Sequence, residues 1–401
     1  MSAAPPAEKW RVISALGIVQ IFTWGSTFYL LAVLSVPIRQ EMGWSAGTVT
    51  AGVSIGLLAS GLSARRVGAL IHAEGGRRVL AAGVTLIAAG LVVLGLARSL
   101  PVYFAAWVIL GFGMAASLYD AAFSTLGRIY GREARGAITA LTLWGGFAST
   151  VCWPISAYLV ENAGWRYTCF SYAALHLIVT LPLCRFALPR AVRTARTPDG
   201  AQATADQAGQ DASALRFRCI ASAGMALAVL ASVWSIHLIT ILTAQGYAFA
   251  AAVGLGTLIG PAQVGARVME MLGRERHHPI WTMLVATTLV LGGFLGLFLD
   301  VPASAALVAF GAGNGLWSIA RGALPLAIFG PHDYARIMGR LATPMLISGA
   351  LAPIPGALLI EHYGPHATLM VLVGLALVPC AAATVLWLDL AKERCALPRE
   401  S

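Results

Sequence analysis

Twelve apolar stretches, each about long enough to cross a bilayer, make up most of this chain and are split six and six by one polar, arginine-rich segment. A spanning helix takes roughly 20 mostly apolar residues. Twelve of them use the greater part of 401 residues and leave only short loops. Backbone N–H and C=O groups find no water in hydrocarbon, so spans of this length must satisfy them internally as helices. The expected fold class is an all-α membrane protein with twelve transmembrane helices. The spans fall at about 12–38, 46–64, 79–97, 102–126, 137–160 and 167–188, then 219–243, 248–272, 280–299, 302–328, 338–360 and 367–388. Only 11% of residues are charged, against about 25% in a soluble domain. The 43 glycines suit helices that approach closely in lipid.

A net charge of +10 could point to nucleic acid, but its placement points to a membrane. With the N-terminus in the cytoplasm and the spans threaded alternately, Arg267 and Arg321 lie inside spans. Only Arg39, Arg98 and Arg166 fall on the outer side, and the other lysines and arginines are inside. That is the positive-inside asymmetry, so the expected partner is a lipid bilayer, with both termini cytoplasmic and no nucleic acid. The six cysteines are scattered without CxxC spacing and read as reduced, small apolar residues. No Walker loop, Gly-x-Ser-x-Gly, HExxH or dinucleotide fingerprint is present, so no enzyme and no cofactor are expected.

The two halves echo each other. Leu110-Gly111-Phe112-Gly113 matches Phe310-Gly311-Ala312-Gly313 at an offset of 200, and Leu159-Val160-Glu161 matches Leu359-Ile360-Glu361 at the same offset. Val67-Gly68-Ala69 matches Val264-Gly265-Ala266 at 197. Two related six-helix halves (1–188 and 219–401) joined by a polar cytoplasmic linker (189–218) imply a carrier with its site at the midplane between the halves.

The loop after the second span reads Gly68-Ala69-Leu70-Ile71-His72-Ala73-Glu74-Gly75-Gly76-Arg77-Arg78. It resembles the Gly-x-x-x-Asp-Arg-x-Gly-Arg-Arg signature of the major facilitator superfamily, with His72 where the family has Asp. A degenerate second copy lies near Gly273-Arg274. The resemblance implies the major facilitator fold of two six-helix pseudo-repeats and a conformational gate at Gly68, His72, Gly76, Arg77 and Arg78. It also implies a bacterial inner (plasma) membrane and a monomer.

Ionisable residues within spans are the first site candidates, because charge in hydrocarbon is costly and tends to mark function. Gln263 and Arg267, four apart in span 8, are similar to the Asp and Arg of the monocarboxylate branch of the superfamily, and the resemblance implies that Arg267 holds a substrate carboxylate. A guanidinium fork pairs with two carboxylate oxygens at once. Glu270, at i+3 from Arg267, gives the other reading, a gate ion pair. Arg321 in span 10, after Asn314, and Asp120 in span 4, after Tyr119, sit at near-equivalent positions of the repeat. They can form a pair that makes and breaks between states. Alternatively Arg321 binds an anion and Asp120 takes the coupled proton.

In span 1, Gln20, Thr23, Trp24 and Thr27 share a face by 3–4 spacing, with Tyr29 beyond. They line a cavity or bond between helices. Trp144 in span 5 joins them as a lining candidate. His237 in span 7 is a packing histidine or a cavity residue. No metal is expected: His237 has Ile241 at +4, and Met269 and Met271, two apart, point to different faces.

The reading is a secondary active transporter of a small organic anion, a carboxylate, by proton symport or by exchange with a counter-anion. The Trp44-Ser45 turn also resembles the oxalate/formate and monocarboxylate porter group. The alternative is proton-driven efflux of a toxic or lipophilic compound, for which Trp24, Trp144, Trp153 and Trp317 would supply an aromatic lining.

Overall fold

A computed structural model describes residues 6–189, 207–273 and 276–396, which are helical almost throughout. The first half holds α1 (Pro6–Gly25), α2 (Leu31–Met42), α3 (Ala46–Glu74), α4 (Gly76–Leu96), α5 (Leu100–Ser117), α6 (Tyr119–Tyr130), α7 (Ala134–Gly146) and α8 (Ala148–Leu175). The second holds α9 (Gln207–Ala244), α10 (Phe249–Gly256), α11 (Ile259–Leu272), α12 (Pro279–Phe298), α13 (Ala303–Phe329), α14 (Tyr334–Leu351) and α15 (Pro353–Ala396). The run Leu100–Ala187 is 88 residues long, about 130 Å at 1.5 Å per residue. A hydrocarbon core of about 30 Å forces it to fold back. It contains crossings four, five and six, and Tyr334–Glu393 contains eleven and twelve. The result is an all-α membrane protein of twelve crossings. Of the linker read at 189–218, residues 190–206 lie outside the described residues, as does Arg274 of the second signature-like loop. Gln207 onward is already helix.

Several crossings are interrupted, and local chemistry explains most of the breaks. Span 1 leaves the helix over 26–30, where Tyr29 N–H bonds to Trp24 O and Leu30 N–H to Thr27 O instead of following an unbroken i→i−4 ladder. Span 4 breaks at Leu118, which is extended (φ −77°, ψ −171°). Span 5 breaks at Phe147, after Gly145-Gly146, the poorest helix formers short of proline. Span 11 breaks between Leu351 and Pro353, because a residue before proline is pushed out of the α region.

The internal repeat is written into the backbone. Left-handed glycines close matching crossings in both halves: Gly43 (φ 69°) and Gly246 (φ 93°), Gly131 (57°) and Gly330 (73°), Gly164 (82°) and Gly364 (79°). Only glycine adopts these angles without strain, so the repeated positions fix where each half turns.

The chain forms two compact units, Met1–Arg193 with Gly330–Ala350, and Thr194–Phe329 with Leu351–Ser401. Thus α14, in the second half of the sequence, packs with the first unit. In unit 1 the core gathers Tyr103, Trp107, Trp165 and Tyr172, and Tyr103 OH donates to Val49 O (2.6 Å). In unit 2, Trp234, Phe294 and Phe310 form an aromatic triad with centroids 5.1–5.8 Å apart.

Candidate functional site

In unit 1 the interruptions of spans 1, 4 and 5 meet the residues expected to bind. The break at Leu118 leaves the Ser117 carbonyl outside the helical ladder, and Gln20 Nε2 donates to it (2.7 Å). Ser117 O can only accept, so the Gln20 amide is fixed with Oε1 turned away. Gln20, Thr23 and Thr27 are fully buried. Thr23 and Thr27 spend their hydroxyls on Val19 O (2.7 Å) and Thr23 O (2.5 Å) of their own helix. Trp24 stands at the centre of an aromatic cluster, with Tyr119 at 5.3 Å, Phe28 at 5.6 Å and Tyr29 at 6.1 Å between centroids. Tyr29 meets Trp153 edge-on at 6.2 Å. Tyr119 stacks on Phe123 and donates to Thr142 O (3.3 Å). Trp144 packs over Gly17, where a methyl group would overlap the indole.

Asp120 lies in the first turn of α6, immediately after the break. The N-terminal end of that half-helix carries partial positive charge, which favours an acidic side chain there. The sequence places Asp120 deep in span 4 but shows nothing of this local setting, because Leu118 carries no helix-breaking signature.

In unit 2, α11 and α13 cross at glycines: a Cβ on Gly315 would lie 2.5 Å from Gln263 O, and one on Gly311 would lie 2.7 Å from Ile259 O. At that crossing Arg267 is 6% exposed and its Nε donates to Gly315 O (3.4 Å). Glu270 accepts from Thr282 Oγ1 (2.7 Å), and His277 Nε2 lies 3.2 Å from the same carboxylate oxygen. Arg321 and Asn314 are half-buried on α13. His237 Nε2 donates to Pro353 O (3.4 Å) at the break of span 11, and Gly356 packs against its ring.

The gate candidates gather at the arginine-rich end of unit 1. Gly68 of α3 and Gly339 of α14 touch backbone to backbone: a methyl on Gly68 would overlap Ala335 O, and one on Gly339 would lie 2.6 Å from Ala64 O. The His72 and His332 rings meet edge-on at 5.6 Å. Arg128 Nη1 donates to His72 O, so the loop is held through the backbone of His72 rather than through its ring. Gly76 opens α4 against Thr125 with no space for a side chain. Arg77 and Arg78 occupy the first turn of α4, half-buried and exposed respectively.

Two features escape sequence reading. One is Tyr334, fully buried against Gly127. The other is His176 in span 6, fully buried with Ser26 Oγ at 2.7 Å from Nε2 and Thr180 Oγ1 at 2.9 Å from Nδ1. The spacing of His176 and Thr180, four apart in an apolar span, was the only sequence signal for it.

A family model described as Major Facilitator Superfamily matches residues 16–318. No curated protein sequence matches the chain. Among solved structures, the human organic anion transporter MFSD10 (TETRAN) is similar with a TM-score of 0.72 and 16% identity, over 95% of this chain and 100% of that one. The proton:xylose symporter XylE, bound to 6-bromo-6-deoxy-D-glucose, gives 0.72 and 12% identity over 95% of each chain. The E. coli fucose:proton symporter FucP gives 0.70 and 13% identity, over 93% of this chain and 98% of that one. At these identities the likeness is one of fold.

Proposed function

The chain belongs to the major facilitator superfamily, a family of membrane transporters, and on that premise we propose that it carries a small organic anion, a carboxylate, by proton symport or anion exchange. The observation that carries this reading is Arg267, a guanidinium 6% exposed within a membrane span. Charge within a span is costly and tends to mark function, and a buried guanidinium there suits an anionic substrate. Arg321 supplies a second cation on α13. Asp120, at the N-terminus of α6, is the site for the coupled proton. Supporting analogies come from the fold relatives, one named as an organic anion transporter and two as proton symporters. In this reading the cluster of Trp24, Tyr29 and Tyr119 lines the substrate path, Gln20 braces it, and the Gly68–Arg78 loop is the gate. The carrier works as a monomer in a bacterial inner membrane with both termini cytoplasmic.

A second reading, proton-driven efflux of a lipophilic compound, is favoured by the same aromatic cluster, because Trp24, Phe28, Tyr29 and Trp153 present flat apolar faces. Uptake into proteoliposomes under an imposed pH gradient separates the two. The anion carrier accumulates a labelled mono- or dicarboxylate and loses at least about tenfold in rate in Arg321→Ala and Arg267→Ala, the loss of a charge-assisted contact. No accumulation of any carboxylate, with or without a counter-anion inside, rejects it in favour of efflux.

A further inference from the structure

We infer that His176 is a positioning residue that fixes the non-helical segment of span 1, and through it the aromatic rings beside the substrate path. The segment 26–30 has lost the regular α-helical ladder, and backbone in that condition inside a membrane must be held by neighbouring groups. Its first residue, Ser26, is fully buried, and its hydroxyl lies 2.7 Å from His176 Nε2. The far ring nitrogen, Nδ1, lies 2.9 Å from Thr180 Oγ1, and that hydroxyl donates to His176 O (3.0 Å).

These contacts select one tautomer. A hydroxyl has a single hydrogen, and Thr180 gives its own to the His176 carbonyl, so it must accept from Nδ1–H. Nε2 is then the acceptor and Ser26 Oγ–H the donor. The chain runs in one direction, from Ser26 through the imidazole and Thr180 to a backbone carbonyl, with every member 0% exposed. Residues 176–180 wind as a single π-helical turn, a local distortion that is frequent at functional sites. What Ser26 anchors is short and specific. Trp24 precedes it by two residues, and Thr27, Phe28 and Tyr29 follow directly. Immediately before it, Gly25 leaves no space for a methyl against Cys152, so the start of the segment is packed as well as hydrogen-bonded.

This inference rests on the reading that the Trp24–Tyr29 cluster lines the substrate path, and its test keeps the two apart. Purified carrier is compared as wild type, His176→Phe, Ser26→Ala and His176→Gln, where the amide can again accept from Ser26. Backbone hydrogen exchange is read over 22–32 and, as control, over α4. His176→Phe leaves the Ser26 donor buried and unpaired, and Ser26→Ala removes the hydroxyl that ties the segment to span 6, so both should speed exchange in 26–31 by on the order of tenfold or more while α4 is unchanged. With a substrate that wild type transports, KM should rise on the order of tenfold with kcat changed less, and His176→Gln should recover both readouts. Unchanged exchange in His176→Phe, or faster exchange with KM unmoved, overturns the positioning role. If wild type transports no carboxylate, the proposed substrate class fails alone, and the exchange data still decide whether His176 holds the segment.

Discussion

At the scale of single residues, the clearest case of one side chain holding several elements is Arg166. Its Nε donates to Glu41 Oε1 (2.9 Å), and its Nη1 donates to Gly95 O (2.8 Å) and Ala97 O (2.7 Å). Glu41 also accepts from Trp165 Nε1 (2.6 Å). The guanidinium therefore caps the C-terminal carbonyls of α4 and ties α2 to span 6, a task that needs its planar fork of donors. We expect Arg166→Ala to cost about 2–4 kcal/mol, two to three charge-assisted bonds at a partly exposed site. Glu41→Ala should cost less, because the two carbonyl bonds survive it. Arg166→Lys should recover little, since a point charge cannot span three acceptors. Thermal unfolding midpoints in detergent give the ranking, and an equal loss in Glu41→Ala and Arg166→Ala would mean the carbonyl bonds contribute nothing. In the sequence Arg166 is only one of three cations on the outer side. Its partners lie 69 to 125 residues away, so composition and charge place the residue while the contacts it makes are set by tertiary packing.

At the scale of elements, hydropathy made the spans legible and said little about their interiors. The repeat was legible too, since its matched segments contain Gly111 and Gly311, and both make a close helix approach: Gly111 against Gly56 O and Gly311 against Ile259 O. The breaks in spans 1 and 4 were not legible, because Leu118 is an ordinary helix former, and its extended backbone is stabilised by Gln20, 97 residues earlier. Arg321 and Asp120 were picked out by charge and by their place in the repeat, whereas the setting of Asp120 at a helix start depends on that unseen break. Close approach in lipid predicts sharply different costs for one substitution. Gly111→Ala and Gly311→Ala insert a methyl group into backbone and should each destabilise by about 1–3 kcal/mol or more, the cost of overpacking. Gly254→Ala meets no atom within 4 Å and should be neutral or stabilising by up to about 1 kcal/mol, because alanine is the better helix former. Unfolding midpoints of the three variants check the order. Similar losses in all three would show that glycine acts there through flexibility rather than through contact.

At the scale of the whole molecule, the position of α14 bears on how a carrier of this family would cycle. Its place in the sequence belongs to the second half, yet it packs with unit 1. The contact is made by bare backbone at Gly68 and Gly339, by Tyr334 on Gly127, and by the edge-on pair His72 and His332. The glycine surfaces at Gly68 and Gly339 slide apart without unlocking side chains, while the Tyr334 ring must leave its seat on Gly127, so the contact is one that can be made in one state and released in another. Where the family signature has Asp, His72 contributes its carbonyl to Arg128, which leaves the ring available to face His332. If transport requires α14 to leave this position, joining the two sites covalently must stop it. His72→Cys combined with His332→Cys, treated with a short cleavable dithiol-reactive linker, should lose transport by more than about tenfold, as expected when one conformer is trapped, and regain it when the linker is cut. Each single variant under the same treatment controls for labelling of the native thiols, of which Cys152, Cys169, Cys184 and Cys219 are buried. Transport that persists in the linked protein would mean that α14 and the arginine-rich end of unit 1 move as one body, and that the change of access arises elsewhere in the fold.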